Sequence, residues 1–540
     1  MIVLLPLLCV GDALFTEVGA TALPGVVTTC GSLEKDFILE VNGGGVLLED
    51  FDRDGNVDLV VVDGSTIARV KSGEPSLPAR LFLGDGTGGF APGGEAWMLE
   101  GGRWGMGGAV GDVNGDGWPD LYVTHWGGDR LYLNEAGEGF RDATEASGIE
   151  GERWGTSAAF LDADGDGHLD LYVVNYLAFD PESVPPRGSG CTWKGHEVMC
   201  GPEGLVPVHD QFYRGKGDGT FVEASLERGL KPERAGFGLG VVTLDYDGDG
   251  DTDIYVSNDS TPNFLWENQG DGAFIDVGFR RGASHDANGK EQAGMGIACG
   301  DLDGDGRPDL FVTNFSGENN ALYRSTKRGG FRERSARVGL GGPSIARLGW
   351  GTGMADYDLD GSLDLFVMNG HVYPQADKAG TDTSYAQLDQ LFRSDAQGQF
   401  AEEPLSNAPA TTSRAAATAD LDNDGDLDIV ALSIEGPVRV LINGADHGDD
   451  RHWLRVRLVG RDGNTAAIGA RVTAIWKDGK RSVDVRTAGG FQAGLPAEAH
   501  FGLGALAQLD ALEVRWPSGA VQRLEGVAVD RLVVIEEQAQ

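Results

Sequence analysis

Short apolar runs recur along the chain, and each of them follows a loop that is dense in aspartate. Two of these runs are Leu121-Tyr122-Val123 and Leu310-Phe311-Val312. Aliphatic and aromatic runs of this length, bounded by turn residues, are typical of buried β-strands. Because the same succession of loop and run occurs seven times, the pattern indicates a repeat architecture built from strands.

The seven loops share the form Asp-x-Asp/Asn-x-Asp-Gly-x-x-Asp, in which x is any residue. Side-chain oxygens at positions one, three, five and nine, a bend at the glycine of position six and a backbone carbonyl at position seven suit a hard cation such as calcium. We therefore predict up to seven structural calcium ions. The predicted ligands are, loop by loop, Asp50, Asp52, Asp54, Asn56 and Asp58; Asp112, Asn114, Asp116, Trp118 and Asp120; Asp162, Asp164, Asp166, His168 and Asp170; Asp245, Asp247, Asp249, Asp251 and Asp253; Asp301, Asp303, Asp305, Arg307 and Asp309; Asp356, Asp358, Asp360, Ser362 and Asp364; and Asp420, Asp422, Asp424, Asp426 and Asp428.

These loops are not EF-hands, because an EF-hand places a bidentate glutamate at position twelve and a helix on either side. Val61, Val123 and Val312 stand at position twelve in three of the loops. The cation is therefore predicted to hold the turn between two strands. A single acidic loop is equally well explained as a solvated turn, whereas seven copies with matching strands favour ion binding.

Each unit also carries a glycine-rich stretch before its loop and two further strands after it. Trp350-Gly351-Thr352-Gly353 is one such stretch, and Leu131-Tyr132-Leu133-Asn134 followed by Gly139-Phe140 is one such pair of strands. The seventh unit lacks the final phenylalanine strand, and Phe15-Thr16-Glu17-Val18 near the N-terminus resembles that strand. We predict that this segment adds the outer strand to the last unit, which closes a ring and removes an exposed sheet edge.

The repeated units resemble the FG-GAP/VCBS repeats of integrin-type propellers in their Gly-x-Gly starts and their DxDxDG loops. Further along, His500-Phe501-Gly502-Leu503-Gly504 and Val514-Arg515-Trp516-Pro517-Ser518-Gly519 resemble the ASPIC/UnbV domain. Together the two parts are similar to the cartilage acidic protein family and its bacterial relatives. This resemblance implies an all-β fold, a seven-bladed β-propeller with calcium-binding loops followed by a small C-terminal β-sandwich-like domain. Gly489-Gly490-Phe491-Gln492-Ala493-Gly494-Leu495 departs from the family, which usually carries a polar, serine-rich segment there.

The predicted divisions are 1–11 for a truncated signal segment, 12–445 for the propeller and 451–540 for the ASPIC/UnbV domain. The first eleven residues are apolar but lack the basic residues that begin a secretory signal, so an ordinary buried strand is the alternative. Cys9 in this segment is a poor match to a lipid-attachment site. Export is favoured because calcium is abundant outside the cytoplasm, and the predicted location is secreted, periplasmic or at the cell surface.

The strongly acidic composition restricts the kinds of partner that the chain can bind. The formal charge of the 540-residue chain is -41, which argues against nucleic acid, since nucleic-acid binding requires a positive surface. No stretch is long and apolar enough for a transmembrane helix. Cys191 and Cys200 lie in a long insertion of the third unit and are placed to form a local disulfide after export, with two reduced thiols as the alternative.

Compact catalytic motifs are absent from the sequence. His371, and His196 with Glu197, are catalytic candidates by residue type, but no partner base or nucleophile stands at a fixed spacing from them. The leading hypothesis is an exported calcium-binding propeller that acts as an interaction or adhesion scaffold without catalysis. It would bind a protein or glycan at a propeller face or at the C-terminal domain. One alternative is an enzyme or accessory protein acting on a glycan, peptide or natural product, and another is a carbohydrate-binding surface module that uses the C-terminal domain.

Overall fold

The computed structural model describes residues 13–99, 104–445, 447–448, 450–461 and 463–539. The predicted signal segment, with Cys9, lies outside these residues. Strands dominate the described part of the chain, and the helices within it are single turns or little more. The predicted all-β class is confirmed.

Seven sheets, each with four antiparallel strands, lie in the described chain up to residue 443; six take these strands in chain order, and the seventh takes its outer strand from Phe15–Glu17. Sheet one contains Gly45–Glu49, Asp58–Val62, Arg80–Gly84 and Phe90–Pro92; sheet two contains Trp104–Gly111, Asp120–Trp126, Arg130–Asn134 and Phe140–Asp142; sheet three contains Gly155–Leu161, Asp170–Asn175, Gln211–Gly215 and Phe221–Glu223; and sheet four contains Gly238–Leu244, Asp253–Asn258, Phe264–Asn268 and Phe274–Asp276. Sheet five contains Ile297–Gly300, Asp309–Val312, Ala321–Thr326 and Gly330–Glu333; sheet six contains Gly349–Ala355, Asp364–Asn369, Gln390–Ser394 and Phe400–Pro404; and sheet seven contains Ser413–Ala419, Asp428–Ser433, Arg439–Asn443 and Phe15–Glu17.

The first and second strands of each sheet are buried on both faces, which explains their continuous apolar sequences. In Asp120–Trp126, for example, every residue up to His125 is buried. Glycine allows the first strands to approach one another closely. A Cβ atom at Gly107 would lie 2.7 Å from the Thr156 carbonyl oxygen of the next sheet, and one at Gly351 would lie 2.7 Å from that of Arg414.

The first strands contact one another in chain order. Ser413–Ala419 of sheet seven contacts Gly349–Ala355 of sheet six on one side and Gly45–Glu49 of sheet one on the other. The predicted pairing of the N-terminal segment with the last unit is confirmed, because Phe15–Glu17 runs antiparallel to Arg439–Asn443 with Phe15 opposite Asn443. Phe15 is buried and contacts Tyr357 edge to face.

Residues after 451 form a separate core between two sheets. One sheet contains Glu498–Gly504, His452–Val459 and Arg531–Glu536, and the other contains Gly479–Asp484, Arg471–Trp476, Ala511–Arg515 and Val521–Glu525. Leu454, Val456, Val472, Val514 and Trp516 are among the residues buried between them.

The seven first strands, in this order of contact, are called the ring below. Residues 489–495 leave the C-terminal domain and enter among these strands. Ala493–Gly494 forms a short parallel fifth strand on sheet one. The Val241 amide of sheet four donates to the Gly490 carbonyl at 2.8 Å. Phe491 has no exposed surface and packs on Trp350 of sheet six, with ring centroids 5.1 Å apart. The segment therefore touches sheets on opposite sides of the ring.

The ends of the first strands that lie far from the acidic loops are covered by connecting segments. Trp104, Trp154, Trp350 and Phe237 belong to one buried cluster there, together with side chains from residues 37–41 and 176–199. The two-stranded pairs Val27–Thr28 with Gly436–Pro437 and Thr192–Trp193 with His196–Glu197 lie in the connections. The short helices are Gly19–Ala22, Ile67–Ser72, Thr144–Ser147, Gly278–Arg281 and Gly341–Ser344, with 3-10 turns at Ile38–Val41, Glu95–Trp97, Ser335–Arg337 and Pro374–Asp377.

Among the helices that the structure describes, none has the length and apolar character needed to cross a lipid bilayer.

Candidate metal centres

Each acidic loop joins the first strand of its sheet to the second. In sheet two, for example, Trp104–Gly111 precedes the loop and Asp120–Trp126 begins at its ninth position. Because all seven first strands run side by side in the same order, the seven loops lie at one end of the ring. This surface is called the loop face below.

The loops share a set of hydrogen bonds from backbone to carboxylate. In all seven, the position-five aspartate accepts the backbone amide of position seven, at 2.7 to 3.2 Å. In five, the position-one aspartate accepts the amide of the position-six glycine, as Asp112 does from Gly117 at 2.7 Å. These bonds bend the loop inward and leave other carboxylate oxygens free to face one another.

The predicted ligands converge in several loops. Positions one, three and five supply carboxylate oxygens within 4.8 Å of one another in the loops that start at Asp162, Asp245 and Asp301. In the loop that starts at Asp50, positions one, three and nine do so. Oxygens at this separation are close enough to share one cation.

Several loop oxygens suit a cation because they are buried without any hydrogen-bond partner. They are Asp50 Oδ1, Asp164 Oδ1, Asp364 Oδ2, Asp420 Oδ1, Asp422 Oδ1 and Asp426 Oδ1. An unpaired buried carboxylate oxygen is costly, and a bound calcium ion would satisfy it. The donor set is oxygen only in these loops, which is the set that calcium prefers.

The raised pKa values of the loop carboxylates also favour cation binding. Burial raises the pKa of Asp58 and Asp120 to about 8, and neighbouring loop carboxylates add to the effect. Burial raises the pKa of Asp162 to about 6 and that of Asp356 to about 7. A positive charge beside these groups favours their ionised form, and a divalent ion supplies such a charge.

Position nine has a second role that the sequence did not reveal. Asp120 accepts the Val113 amide of its own loop at 2.9 Å and the Asn134 amide of the third strand at 2.8 Å. Asp428 does the same with Leu421 and Asn443, at 2.8 and 2.7 Å. The ninth carboxylate therefore ties the loop to the third strand, in addition to its predicted part in ion binding.

Position seven was predicted to bind through its carbonyl, and most of its side chains contact other groups. The Trp118 ring lies under Arg53 at 5.1 Å, and Asn56 Nδ2 donates to Asp54 Oδ2 at 3.1 Å. Asp426 is different, because it is buried and forms a group with Asp424 and His447. His447 was missed in the sequence because it lies in the polar stretch between the domains, outside every repeat.

The C-terminal domain covers the loop face and contacts the position-one aspartates. Arg455 Nη1 lies 2.6 Å from Asp420 Oδ2, and Arg457 Nη1 lies 3.6 Å from Asp50 Oδ2. Thr465 Oγ1 donates to Asp112 Oδ2 at 2.6 Å. Arg471 and Arg515 both approach Asp245 Oδ2. The loop carboxylates thus face a set of cationic and polar side chains from another domain.

The candidate catalytic histidines lie at the far end of the ring. His371 has no exposed surface; its Nδ1 accepts the Tyr373 amide at 3.0 Å and its Nε2 contacts Ser316 Oγ at 3.0 Å. Burial, with Arg414 and Lys194 nearby, lowers the pKa of His371 to about 3. His196 Nε2 contacts the Ala379 carbonyl at 3.2 Å, and Glu197 is exposed. The hairpin that carries His196 and Glu197 lies beside His371, since the ring centroids of Trp193 and His371 are 4.6 Å apart.

The cysteines of the long insertion lie close together. The sulfur atoms of Cys191 and Cys200 are within bonding distance, on either side of the hairpin formed by Thr192–Trp193 and His196–Glu197. Cys30 and Cys299 are buried as free thiols.

Two family models match the chain. The model described as FG-GAP-like repeat matches residues 50–123, 112–173, 207–256, 245–312 and 301–367, which together make up more than half of the chain. The model described as ASPIC and UnbV matches residues 460–540. The resemblance of both parts to these families is confirmed.

Cartilage acidic protein 1 of Xenopus tropicalis is 28% identical over 327 residues, which cover 59% of this chain and 48% of that protein. The protein of the same name from Homo sapiens is 30% identical over 275 residues, which cover 50% of this chain and 39% of that protein. The chain thus matches about half or less of the length of these relatives. Among solved structures, an Agrocybe aegerita lectin described as recognising non-reducing terminal N-acetylglucosamine is 16% identical, covers 73% of this chain and 86% of its own, and has a TM-score of 0.39. A TM-score this low supports no argument about this chain.

Proposed function

Because the chain belongs to the FG-GAP-like repeat family and ends in an ASPIC and UnbV domain, we propose that it is a calcium-stabilised, seven-bladed β-propeller that acts as an interaction scaffold. The propeller would span residues 12–445 and the ASPIC/UnbV domain residues 451–540. Each four-stranded sheet would be one blade. Support comes from the order of the sheets. It also comes from the contact between the first strand of sheet seven, Ser413–Ala419, and the first strand of sheet one, Gly45–Glu49.

Calcium is proposed in the loops because of the buried carboxylate oxygens that lack partners, and this observation carries the proposal. Seven divalent ions would add fourteen positive charges to a chain whose formal charge is -41. Oxygen-only loops of this type can be weak sites that fill at extracellular calcium concentrations. Occupation by calcium would then hold each first strand to its second.

A scaffold is favoured over an enzyme because both ends of the ring are filled. Residues 489–495 occupy the centre, and Phe491 joins the aromatic cluster that includes Trp104 and Trp154 and fills the far end. An enzyme of this architecture would need an open mouth lined by convergent acids and bases. One surface of the C-terminal domain is also covered by the acidic loops. This contact favours a binding unit that consists of the whole molecule, and not of the C-terminal domain alone. The proposed partner is a protein or a glycan at the remaining outer surfaces.

Export is part of the proposal. A Cys191–Cys200 disulfide would persist only in an oxidising compartment, and the sulfur atoms are within bonding distance. Two relatives carry the name cartilage acidic protein 1, and cartilage is an extracellular tissue. The proposed location is secreted, periplasmic or at the cell surface.

The test is the melting temperature of the protein in calcium and in excess chelator. We expect a steep fall in chelator, because a ligand that binds only the folded state stabilises it by mass action. Asp305→Ala removes the position-five ligand of sheet five and should lower the melting temperature more in calcium than in chelator, where only its contacts with Arg307 are lost.

The matched control is Asp218→Ala, which removes an exposed hairpin aspartate that accepts the Thr220 amide and lies outside every loop. It should behave like the unchanged protein in both conditions. Melting curves that superimpose with and without calcium would refute the calcium part of the proposal.

A further inference from the structure

A cavity of about 140 Å³ lies between the C-terminal domain and the loops of sheets five, six and seven. Four arginines of the C-terminal domain line it: Arg455, Arg471, Arg481 and Arg486. Four carboxylates line it as well, those of Asp301, Asp420, Asp484 and Glu498. The pairing of each arginine decides what the cavity can bind.

Two of the four arginines are neutralised by carboxylates. Arg455 contacts Asp420 at 2.6 Å and Glu498 at 2.9 Å. Arg471 Nε and Nη2 donate to the two oxygens of Asp484, at 2.6 and 3.0 Å. These pairs leave little charge for a ligand, since each guanidinium is already engaged by oxygen atoms of a carboxylate.

Arg481 and Arg486 have no carboxylate within ion-pair distance among the residues that the structure describes. Arg481 donates to the carbonyls of Gly361 at 2.5 Å and Gly502 at 3.3 Å, while its Nε is buried without a partner. Arg486 donates to the Cys299 carbonyl. Asp356 lies near enough for the charge of Arg481 to counteract the rise in its pKa, but the two form no ion pair.

The rest of the cavity wall is largely apolar. Met354 and Leu363 of sheet six, Leu427 of sheet seven, and Val483 and Leu495 of the C-terminal domain line it. A free inorganic oxyanion would keep its hydration shell poorly against such a wall. A protein cavity of about 150 Å³ holds a molecule the size of benzene, so a ligand of about six non-hydrogen atoms fits.

We propose that this cavity binds a small carboxylate with a short apolar chain, whose carboxylate group is held by Arg481 and Arg486. The planar guanidinium fork matches a carboxylate, and both arginines have N–H donors to spare. The apolar chain would pack on the aliphatic wall. This inference goes beyond the proposed function, and it is tested in calcium because the proposed calcium ligand Asp301 also lines the cavity.

The test uses sodium butanoate, which has six non-hydrogen atoms, with sodium chloride at equal ionic strength as reference. The full chain in calcium should show a saturable rise in melting temperature with butanoate, because the ligand binds only the folded state. Arg481→Gln and Arg486→Gln should each weaken butanoate binding at least tenfold in a calorimetric titration.

The matched control is Arg523→Gln, which removes the same charge from the exposed outer strand Val521–Glu525, away from the cavity. It should keep the full response. If a glutamine variant does not fold, Arg486→Lys takes its place, because it keeps the charge but loses the fork and should still bind at least tenfold more weakly.

Three results would overturn the proposal. They are the absence of a saturable response in the unchanged protein, an equal response in Arg486→Gln, and a response to sodium phosphate without one to butanoate. The last result would assign the cavity to an oxyanion in place of an organic carboxylate.

Discussion

The position-nine aspartates have two roles in this molecule, as predicted ion ligands and as acceptors for the third strand. Only the first role could be predicted from the sequence. The spacing of positions one, three, five and nine predicted which carboxylates converge, since each loop is a local structure. It did not predict that Asp120 also holds the third strand through Asn134. It did not predict that the Asn134 side chain donates to the Phe51 carbonyl in the loop of the neighbouring sheet at 2.9 Å. Those bonds join residues far apart in the chain, and no local pattern specifies them.

Burial keeps His371, a catalytic candidate in the sequence, neutral and away from solvent. Its pKa is lowered to about 3 in the folded protein, while an unfolded histidine titrates near 6.5. Between these two values the unfolded chain binds a proton that the folded chain does not, so stability falls as pH falls. The neutral ring is a structural part of the aromatic cluster that includes Trp193 and Tyr373.

We predict that His371→Phe reduces this pH dependence. Between pH 7 and pH 5, the free energy of unfolding should fall by about 2 kcal/mol less in the variant than in the unchanged protein, because 1.5 pH units below the unfolded pKa correspond to about 2 kcal/mol. Urea denaturation at the two pH values measures the difference. His196→Phe, at the half-exposed hairpin of the insertion, is the control for replacing an imidazole by a phenyl ring. Equal pH dependence in His371→Phe would contradict the buried neutral state.

At the scale of elements, the strands and their order were predictable, and the destination of residues 489–495 was not. The repeat period and the apolar runs predicted four strands per unit. The recurring phenylalanine at the end of each unit predicted that Phe15 pairs with the last sheet. The segment 489–495 is rich in glycine and carries no pattern that identifies its partner. Gly490, at φ 86°, could not be replaced by a residue with a side chain, because a Cβ atom there would lie 2.3 Å from the Ile297 carbonyl oxygen.

Phe491 is predicted to fasten the C-terminal domain to the ring. Phe491→Ala empties a fully buried site against Trp350, and a change of this kind costs about 3–5 kcal/mol. Melting temperature should fall, and limited proteolysis should cut sooner in the stretch 444–450 between the domains. The control is Phe279→Ala, which removes a phenyl ring that is 80% exposed. A Phe491→Ala protein as resistant to proteolysis as the control would show that the segment fastens nothing.

At the scale of the whole molecule, two sources of positive charge meet on the loop face. Arginines of the C-terminal domain approach the position-one aspartates Asp50, Asp245 and Asp420 from one side. Ions in the loops would approach the same carboxylates from the other. Burial, with repulsion between neighbouring carboxylates, raises the pKa of Asp50 and Asp420. Both sources of positive charge oppose this rise, so ion binding and domain docking are expected to support one another. The sequence predicted the acidity of this face, but not that a second domain covers it.

The most direct test of the account is the anomalous scattering of calcium in crystals of the full chain grown with calcium. If calcium holds the loops, we expect a peak in each of the seven loops, about 2.3–2.6 Å from the oxygens of positions one, three and five. Loops without peaks, whose carboxylates bind only arginine, backbone amides and water, would contradict it.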